Sequence, residues 1–155
     1  MQFRKATITD VPSIIEMLAN DTLGRLREDF RDPLPKQYYD AFEKINADPD
    51  QELIVVENED GEIVGTLQLS FIQYLTYRGG IRAQIEAVRV REDLRGGGIG
   101  QRMFEWAIQR AKDRKAHVLQ LTTDKTRPEA FSFYHRLGFK DSHEGMKLHF
   151  DKYLS

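Results

Sequence analysis

The sequence predicts a mixed α+β fold: a central, mostly antiparallel sheet flanked by helices, in the order β-α-α-β-β-β-α-β-α-β-β. Three observations predict it. The hydrophobic spacing alternates between the helical and the strand period along the chain. Three strand-like runs follow one another between residues 51 and 90, which rules out pure βαβ winding. One strand–helix–strand unit then runs from Ile81 to Asp124, so the sheet begins antiparallel and turns parallel where the helix crosses over. A chain of 155 residues favours one domain, spanning 1–155.

"QFRKA" is a short first strand. "TDVPSIIEMLAND" is a helix: Thr9 or Asp10 caps it, Pro12 sits in its first turn, and Val11, Ile14, Ile15 and Leu18 form one stripe. "GRLREDFRDPLP" is polar and proline-marked, a loop. "KQYYDAFEKINADP" is a second amphipathic helix, stopped near Pro49. "QELIVVENEDGEIVGTLQLSFI" is two strands joined through Asp60-Gly61, a strong hairpin signal. Leu67, Leu69 and Phe71 alternate there with Thr66, Gln68 and Ser70. "GIRAQIEAVRV" is the third strand, entered through Gly79-Gly80.

From Ile99 the period is helical, with Ile99, Met103, Ala107 and Ala111 on one face, flanked by Phe104 and Ile108. Trp106 lies at the edge of that face and reads as core. "AHVLQLTTD" is a strand. "RPEAFSFYHRLGF" is a short helix with Pro128 in its first turn and Gly138 at its exit. "SHEGMK" is a hairpin turn and "GMKLHF" a last strand.

Composition excludes several function classes. A net charge of −2 gives no bulk attraction to nucleic acid or lipid. The chain has no cysteine, hence no disulfide, thiol nucleophile or thiolate metal site. That fits a reducing compartment, and a cytoplasmic location is expected. "MQFRKATITD" lacks the apolar core of a signal peptide. No run approaches the roughly 20 apolar residues of a membrane span. His117, His135, His143 and His149 lack metal-ligand spacing, so no metal site is expected.

The stretch richest in chemistry is "DLRGGGIGQRMFEWAI". Glycine costs a helix about 1 kcal/mol per interior position relative to alanine. Here Gly96, Gly97, Gly98 and Gly100 gather where a strand ends and a helix starts. Glycines let the backbone approach a ligand, and the first N–H groups of a helix form an anion site. Arg91 and Arg95 flank the turn and can add charge-assisted bonds to phosphate. A tight, closely packed connection is the alternative; the run of glycines at the start of an amphipathic helix favours phosphate. No Gly-Lys-Ser/Thr ending is present, so this is not a Walker A loop, and the spacing disfavours a dinucleotide fingerprint.

"VRVREDLRGGGIGQRMFEWAI" resembles the acetyl-CoA signature of the GNAT N-acetyltransferases, Arg/Gln-x-x-Gly-x-Gly/Ala, with Arg95, Gly98 and Gly100 in its defined positions. "AFSFYHRLGF" resembles the second signature of the family, and the element order matches over nearly the whole chain. The resemblance implies that the pyrophosphate of acetyl-CoA, the cosubstrate, lies on Arg95, Gly96, Gly97, Gly98, Ile99 and Gly100. It implies that pantetheine bonds the backbone of Val88 and Val90 as an extra half-strand, where this strand splays from "VLQLTTD". Many members carry an Asn near the start of the last helix. Here "TDKTRPEAF" has Arg127 at that place, so Thr123, Asp124 or Lys125 replaces the contact or it is absent.

Acyl transfer to an amine needs a base, an oxyanion donor and an acid, because a primary amine has a pKa of about 10 and a thiolate must leave. Glu86 is the base candidate, acting through water. By alternation it shares a face with Val88 and Val90 unless a bulge intervenes. Its alternative is a strand glutamate paired with Arg82 or Arg89, or one on the solvent face. Tyr134 is the acid candidate, because the resemblance sets the tyrosine of the family there; a tyrosine packed beside Phe131 and Leu137 is its alternative. The N–H of Val88 is the oxyanion donor.

In "ANDTLGRLREDF", Asp21, Glu28 and Asp29 could attract a cationic amine, or they are solvated charges. The expected partner is a small-molecule or peptide amine, with no nucleic acid or membrane. A homodimer is compatible with exposed strand edges near the C-terminus. A non-catalytic acyl-CoA sensor is the competing reading; a DNA-binding regulator is disfavoured by charge and by the lack of a second, basic helical domain.

Overall fold

The computed structural model describes residues 1–151. They fall into two compact units, the first spanning Met1–Gln120 and the second beginning at Leu121.

The first unit holds a five-stranded sheet in the order β1-β2-β3-β4-β5. Its strands are β1 (Gln2–Lys5), β2 (Gln51–Glu57), β3 (Ile63–Gln73), β4 (Ile81–Val90) and β5 (Val118–Gln120). The first four pair antiparallel and β5 joins β4 in parallel, as the strand–helix–strand pattern requires. The hairpin between β2 and β3 is built by Asn58, whose Oδ1 accepts the N–H of Asp60 at 3.0 Å and of Glu62 at 2.9 Å.

One sheet face is covered by α1 (Val11–Ala19) and α2 (Lys36–Ala47). There Val55 packs with Ala6, Val11, Ile14, Ile15 and Phe42. The helix α1 starts differently from the sequence expectation. The carboxylate of Asp10 does not cap its own helix; it accepts the Thr7 N–H at 2.7 Å and pairs with Arg4 at 2.7 Å, closing a 3-10 turn ahead of the helix.

The opposite face carries α4 (Ile99–Asp113), which buries Met103, Phe104, Ala107 and Ala111. Burying a side chain such as Met103 or Phe104 contributes roughly 1.5–3 kcal/mol. Gly65 makes room for this helix, since a Cβ there would lie 2.9 Å from Met103 Sδ. Glu52, only 2% exposed, locks the helix to the sheet. Arg110 Nη2 lies 2.7 Å and Arg114 Nη1 2.6 Å from its Oε2. Trp106 stacks on Phe3 at 5.2 Å, half-buried at the edge of the same interface.

The connection between β3 and β4 is a single turn, α3 (Thr76–Gly79), in which Tyr77 and Arg78 have left-handed backbone angles. No helix among the described residues is long and apolar enough to cross a membrane.

The second unit contains α5 (Pro128–Arg136). The strand expected at "GMKLHF" is not formed among the described residues, and Met146, Leu148 and Phe150 are 94%, 81% and 92% exposed. Alternation gives a segment two faces, but a strand also needs a neighbour whose peptide groups it can pair with, and spacing does not supply one. The fold class stands as α+β with a five-stranded mixed sheet; the last two strands of the expected order are absent from the described residues.

Candidate active site

The middle of β4 breaks its own regularity. Gln68 faces Glu86 and Thr66 faces Arg89, so Leu67 stands against both Ala87 and Val88. This is a β-bulge, and Ala87 within it has a left-handed backbone angle, φ 55. The bulge overturns simple alternation. Glu86 and Arg89 lie on the α1/α2 face, because their partners Gln68 and Thr66 are directly opposite Leu53 and Val55. Val90 lies opposite Gly65, on the α4 face. Glu86 therefore does not share a face with Val90.

Glu86 is exposed, and neither Arg82 nor Arg89 forms an ion pair with it. Its carboxylate opens to solvent on the α1/α2 side of the sheet and needs no protein partner there. Arg89 Nη2 instead reaches Asp21 Oδ2 at 3.1 Å, and its Nη1 donates to the carbonyl of Val88 at 2.9 Å. Asp21 follows α1, so this pair ties the α1–α2 connection to the bulge. Sixty-eight residues separate the two; only the fold brings them together, and no spacing in the sequence announces it.

Pairing between β4 and β5 runs only from Arg82 with Val118 to Gln84 with Gln120. From Ile85 to Val90 the second edge of β4 has no ladder partner among the described residues. Arg91 N–H donates to the carbonyl of Val64 at 2.9 Å. The alternation of an antiparallel ladder then turns the peptide groups of Val90 to the open edge. An extended ligand can add there as a further strand.

Beyond β4 the chain makes a 3-10 turn, Glu92–Leu94, and reaches the glycine elbow. Gly96 and Gly98 have φ 84 and 88, and a Cβ built on either meets nothing within 4 Å. Backbone conformation, not packing, demands glycine here, and the space above the elbow is open. Gly98 is the N-cap of α4 and offers no side chain to bond the first N–H groups of the helix. These amides and the positive helix end face that space. Gly97 has an ordinary φ, and its Cβ would lie 3.4 Å from the carbonyl of Leu94.

The flanking arginines differ. Arg91 is held by Asp93 at 2.7 Å and Glu62 at 3.2 Å, so two carboxylates already answer its charge. Arg95 is exposed and, among the described residues, donates to two carbonyls, Val90 at 3.3 Å and Asn20 at 3.1 Å. Of the two, Arg95 retains cationic charge for an anion.

The acidic residues of the α1–α2 connection are mostly committed. Asp21 serves Arg89, and Glu28 accepts the Tyr38 hydroxyl at 3.0 Å. Asp29 pairs with Arg31 at 3.2 Å on the surface. The arginines offset the pull of Asp21 and Asp29 on a cationic amine, while Glu28 keeps its charge.

In the second unit, Tyr134 is half-buried on α5. The helix ends in a Schellman motif: Gly138, φ 99, donates to His135 at 3.0 Å, and Phe139 N–H donates to the Tyr134 carbonyl at 3.1 Å. The rings of Tyr134 and Phe139 meet at 6.1 Å, so the Leu-Gly-Phe exit fixes the tyrosine backbone. Before the helix, Asp124 bonds Thr126 at Oγ1 (2.7 Å) and N (2.9 Å), and Lys125 faces Glu144 at 3.5 Å. Thr123, the third residue of this stretch, has no such commitment among the described residues.

Known proteins resemble this chain in sequence or in structure. A protein described as a transcriptional regulator from Bacillus halodurans C-125 superposes with a TM-score of 0.93 at 53% identity, over 96% of this chain and 99% of that one. The aminoalkylphosphonate N-acetyltransferase of Salmonella typhimurium is 28% identical over 92% of this chain and 86% of its own. The L-methionine sulfoximine/L-methionine sulfone acetyltransferase of Pseudomonas aeruginosa is 27% identical over 90% of this chain and 80% of its own. The model of the Acetyltransferase (GNAT) family matches residues 20–139, which include the bulge, the glycine elbow and α5. The chain belongs to the acetyltransferase (GNAT) family of acyltransferases.

Proposed function

We propose that this chain transfers the acetyl group of acetyl-CoA to a primary amine by direct attack on the thioester, and that residues 1–155 act as one domain. The observation that supports the reading is the pairing of an uncapped glycine elbow with a bulged strand whose outer edge, from Ile85 to Val90, has no ladder partner among the described residues. The amides of Gly96, Gly97, Gly98, Ile99 and Gly100, with Arg95, hold the diphosphate. The backbone of Val88 and Val90 aligns the pantetheine arm.

Glu86 takes a proton from the amine through water, and solvent exposure of its carboxylate gives that water access. As nitrogen bonds the acetyl carbon, the Val88 N–H stabilises the oxygen that gains charge. The carbon–sulfur bond then breaks, and Tyr134 gives the departing thiolate its proton. The role of Tyr134 rests on its place in the second sequence signature. Relatives named for small amine substrates support a small-molecule acceptor.

The regulatory description of the Bacillus halodurans protein is not carried over, because a net charge of −2 gives little attraction to nucleic acid. A cysteine-free chain suits a reducing cytoplasm. Calorimetry with acetyl-CoA and a thiol-release assay with an amine panel test the reading. Binding with amine-dependent release of CoA is expected; binding without release to any amine would favour a sensor.

A further inference from the structure

Arginines that leave solvent in the first unit come with carboxylates. Half-buried Arg4 pairs with Asp10 and Glu57, Arg89 with Asp21, Arg91 with Glu62 and Asp93, and Arg110 and Arg114 share Glu52. Arg82 is the exception. It is half-buried on β4, its Nε is buried without a hydrogen-bond partner, and no carboxylate of the described residues pairs with it. Its guanidinium lies 5.0 Å from the ring centroid of Tyr74, whose hydroxyl bonds His117. Stacking orients a guanidinium but supplies no counter-charge.

Its position is informative. Arg82, Gln84 and Glu86 stand opposite Ile72, Ser70 and Gln68, and so share one sheet face. The row between them is polar: Gln120 Nε2 donates to Gln84 Oε1 at 2.9 Å, and Gln68 Nε2 to Gln51 Oε1 at 2.7 Å. Arg82 and Glu86 are four steps apart along the strand, about 13 Å between Cα atoms. A cation short of an anion thus lies along a polar strip from the carboxylate assigned to receive the amine proton.

We propose that Arg82 binds an anionic group of the acceptor, a carboxylate or a phosphonate-type oxyanion, so that the substrate is an amine bearing a negative charge. This rests on the acetyltransferase reading above. Arg82 is a specificity residue and takes no part in proton transfer. A guanidinium offers two parallel donors to such an anion, and a neutral analogue would leave them unmatched.

The test uses the full chain and matched acceptors: L-methionine against L-methioninamide, and 2-aminoethylphosphonate against ethanolamine. Wild type is expected to favour at least one anionic acceptor over its neutral partner by about tenfold or more in kcat/KM. Arg82→Gln should abolish that preference by raising KM for the anionic acceptor, with kcat and the neutral acceptors changed less than about twofold. Arg82→Lys should restore part of it. The pair that discriminates more identifies carboxylate or phosphonate.

No anionic preference in wild type, or an equal loss across all four acceptors in Arg82→Gln, would overturn the proposal. Calorimetric titration of L-methionine and 2-aminoethylphosphonate into CoA-saturated protein separates the two readings. If nothing is acetylated, the function proposed above fails, yet weaker binding by Arg82→Gln still upholds the anion site. Equal binding by variant and wild type, or none by either, removes it.

Discussion

Glu86 sits between two arginines of its own strand and pairs with neither, because the bulge at Ala87 turns Arg89 toward Asp21 and Arg82 stacks on Tyr74. An exposed carboxylate beside a kinked strand suits proton transfer through water better than structural pairing. Glu86→Gln should therefore lower kcat by about a hundredfold while acetyl-CoA affinity, read by calorimetry, stays within a few-fold. Tyr134→Phe removes one proton donor and keeps the ring packed on Phe139; a drop of about tenfold or more in kcat is expected, with the α5 end intact. Wild-type turnover in both variants would remove the two assignments. The sequence marks both residues by type and motif, but it leaves open which face Glu86 occupies, since one extra strand residue reverses the alternation.

At the scale of elements, the elbow from β4 to α4 separates two uses of glycine. Gly98 needs its left-handed φ, so Gly98→Ala combines strain of about 1–3 kcal/mol with any effect on ligand. Gly97 has no such need, and Gly97→Val is the cleaner probe. It should leave the melting temperature nearly unchanged and weaken acetyl-CoA binding at least tenfold, because a branched side chain crowds the amides proposed to hold the phosphates. Undiminished binding would contradict the phosphate role of the elbow.

The Asp21–Arg89 pair is the other link between elements. Asp21→Asn should loosen the α1–α2 connection from the bulge and raise KM for the amine more than for acetyl-CoA, a split that steady-state kinetics with each substrate varied in turn would measure.

For the whole molecule, acid stability reports how the helices are fastened to the sheet. Burial alone would raise the Glu52 carboxyl, but the Arg110 and Arg114 bonds and charges hold it below the ordinary carboxylate value of 4.5. Burial likewise acts to raise Asp10, while Arg4 and the Thr7 bonds hold it below the ordinary 3.8. A lowered carboxyl contributes stability that is full above its unfolded value and lost as pH falls through its folded one. Unfolding free energy should thus be level from neutral pH down to about 5 and then decline through and below the ordinary carboxylate values. Glu52→Gln should cost about 3 kcal/mol at neutral pH, near the low end for a broken buried pair because both guanidiniums keep some solvent. Its acid decline should be shallower, as denaturant titrations at several pH values would show.

Local spacing along the chain carried the alternation of strands and helices, the antiparallel-then-parallel sheet, the glycine elbow and the two signatures, since each depends on residues near in sequence. It could not carry the last strand, because a ladder needs a partner that alternation does not name. Nor could it reveal the bulge facing of Glu86, the Asp21–Arg89 tie, the Glu52 clamp or the unanswered charge of Arg82. Those depend on side chains from distant segments meeting, or failing to meet, at a few ångströms, and hydrogen bonds and ion pairs fall away too steeply with distance for any linear pattern to encode them.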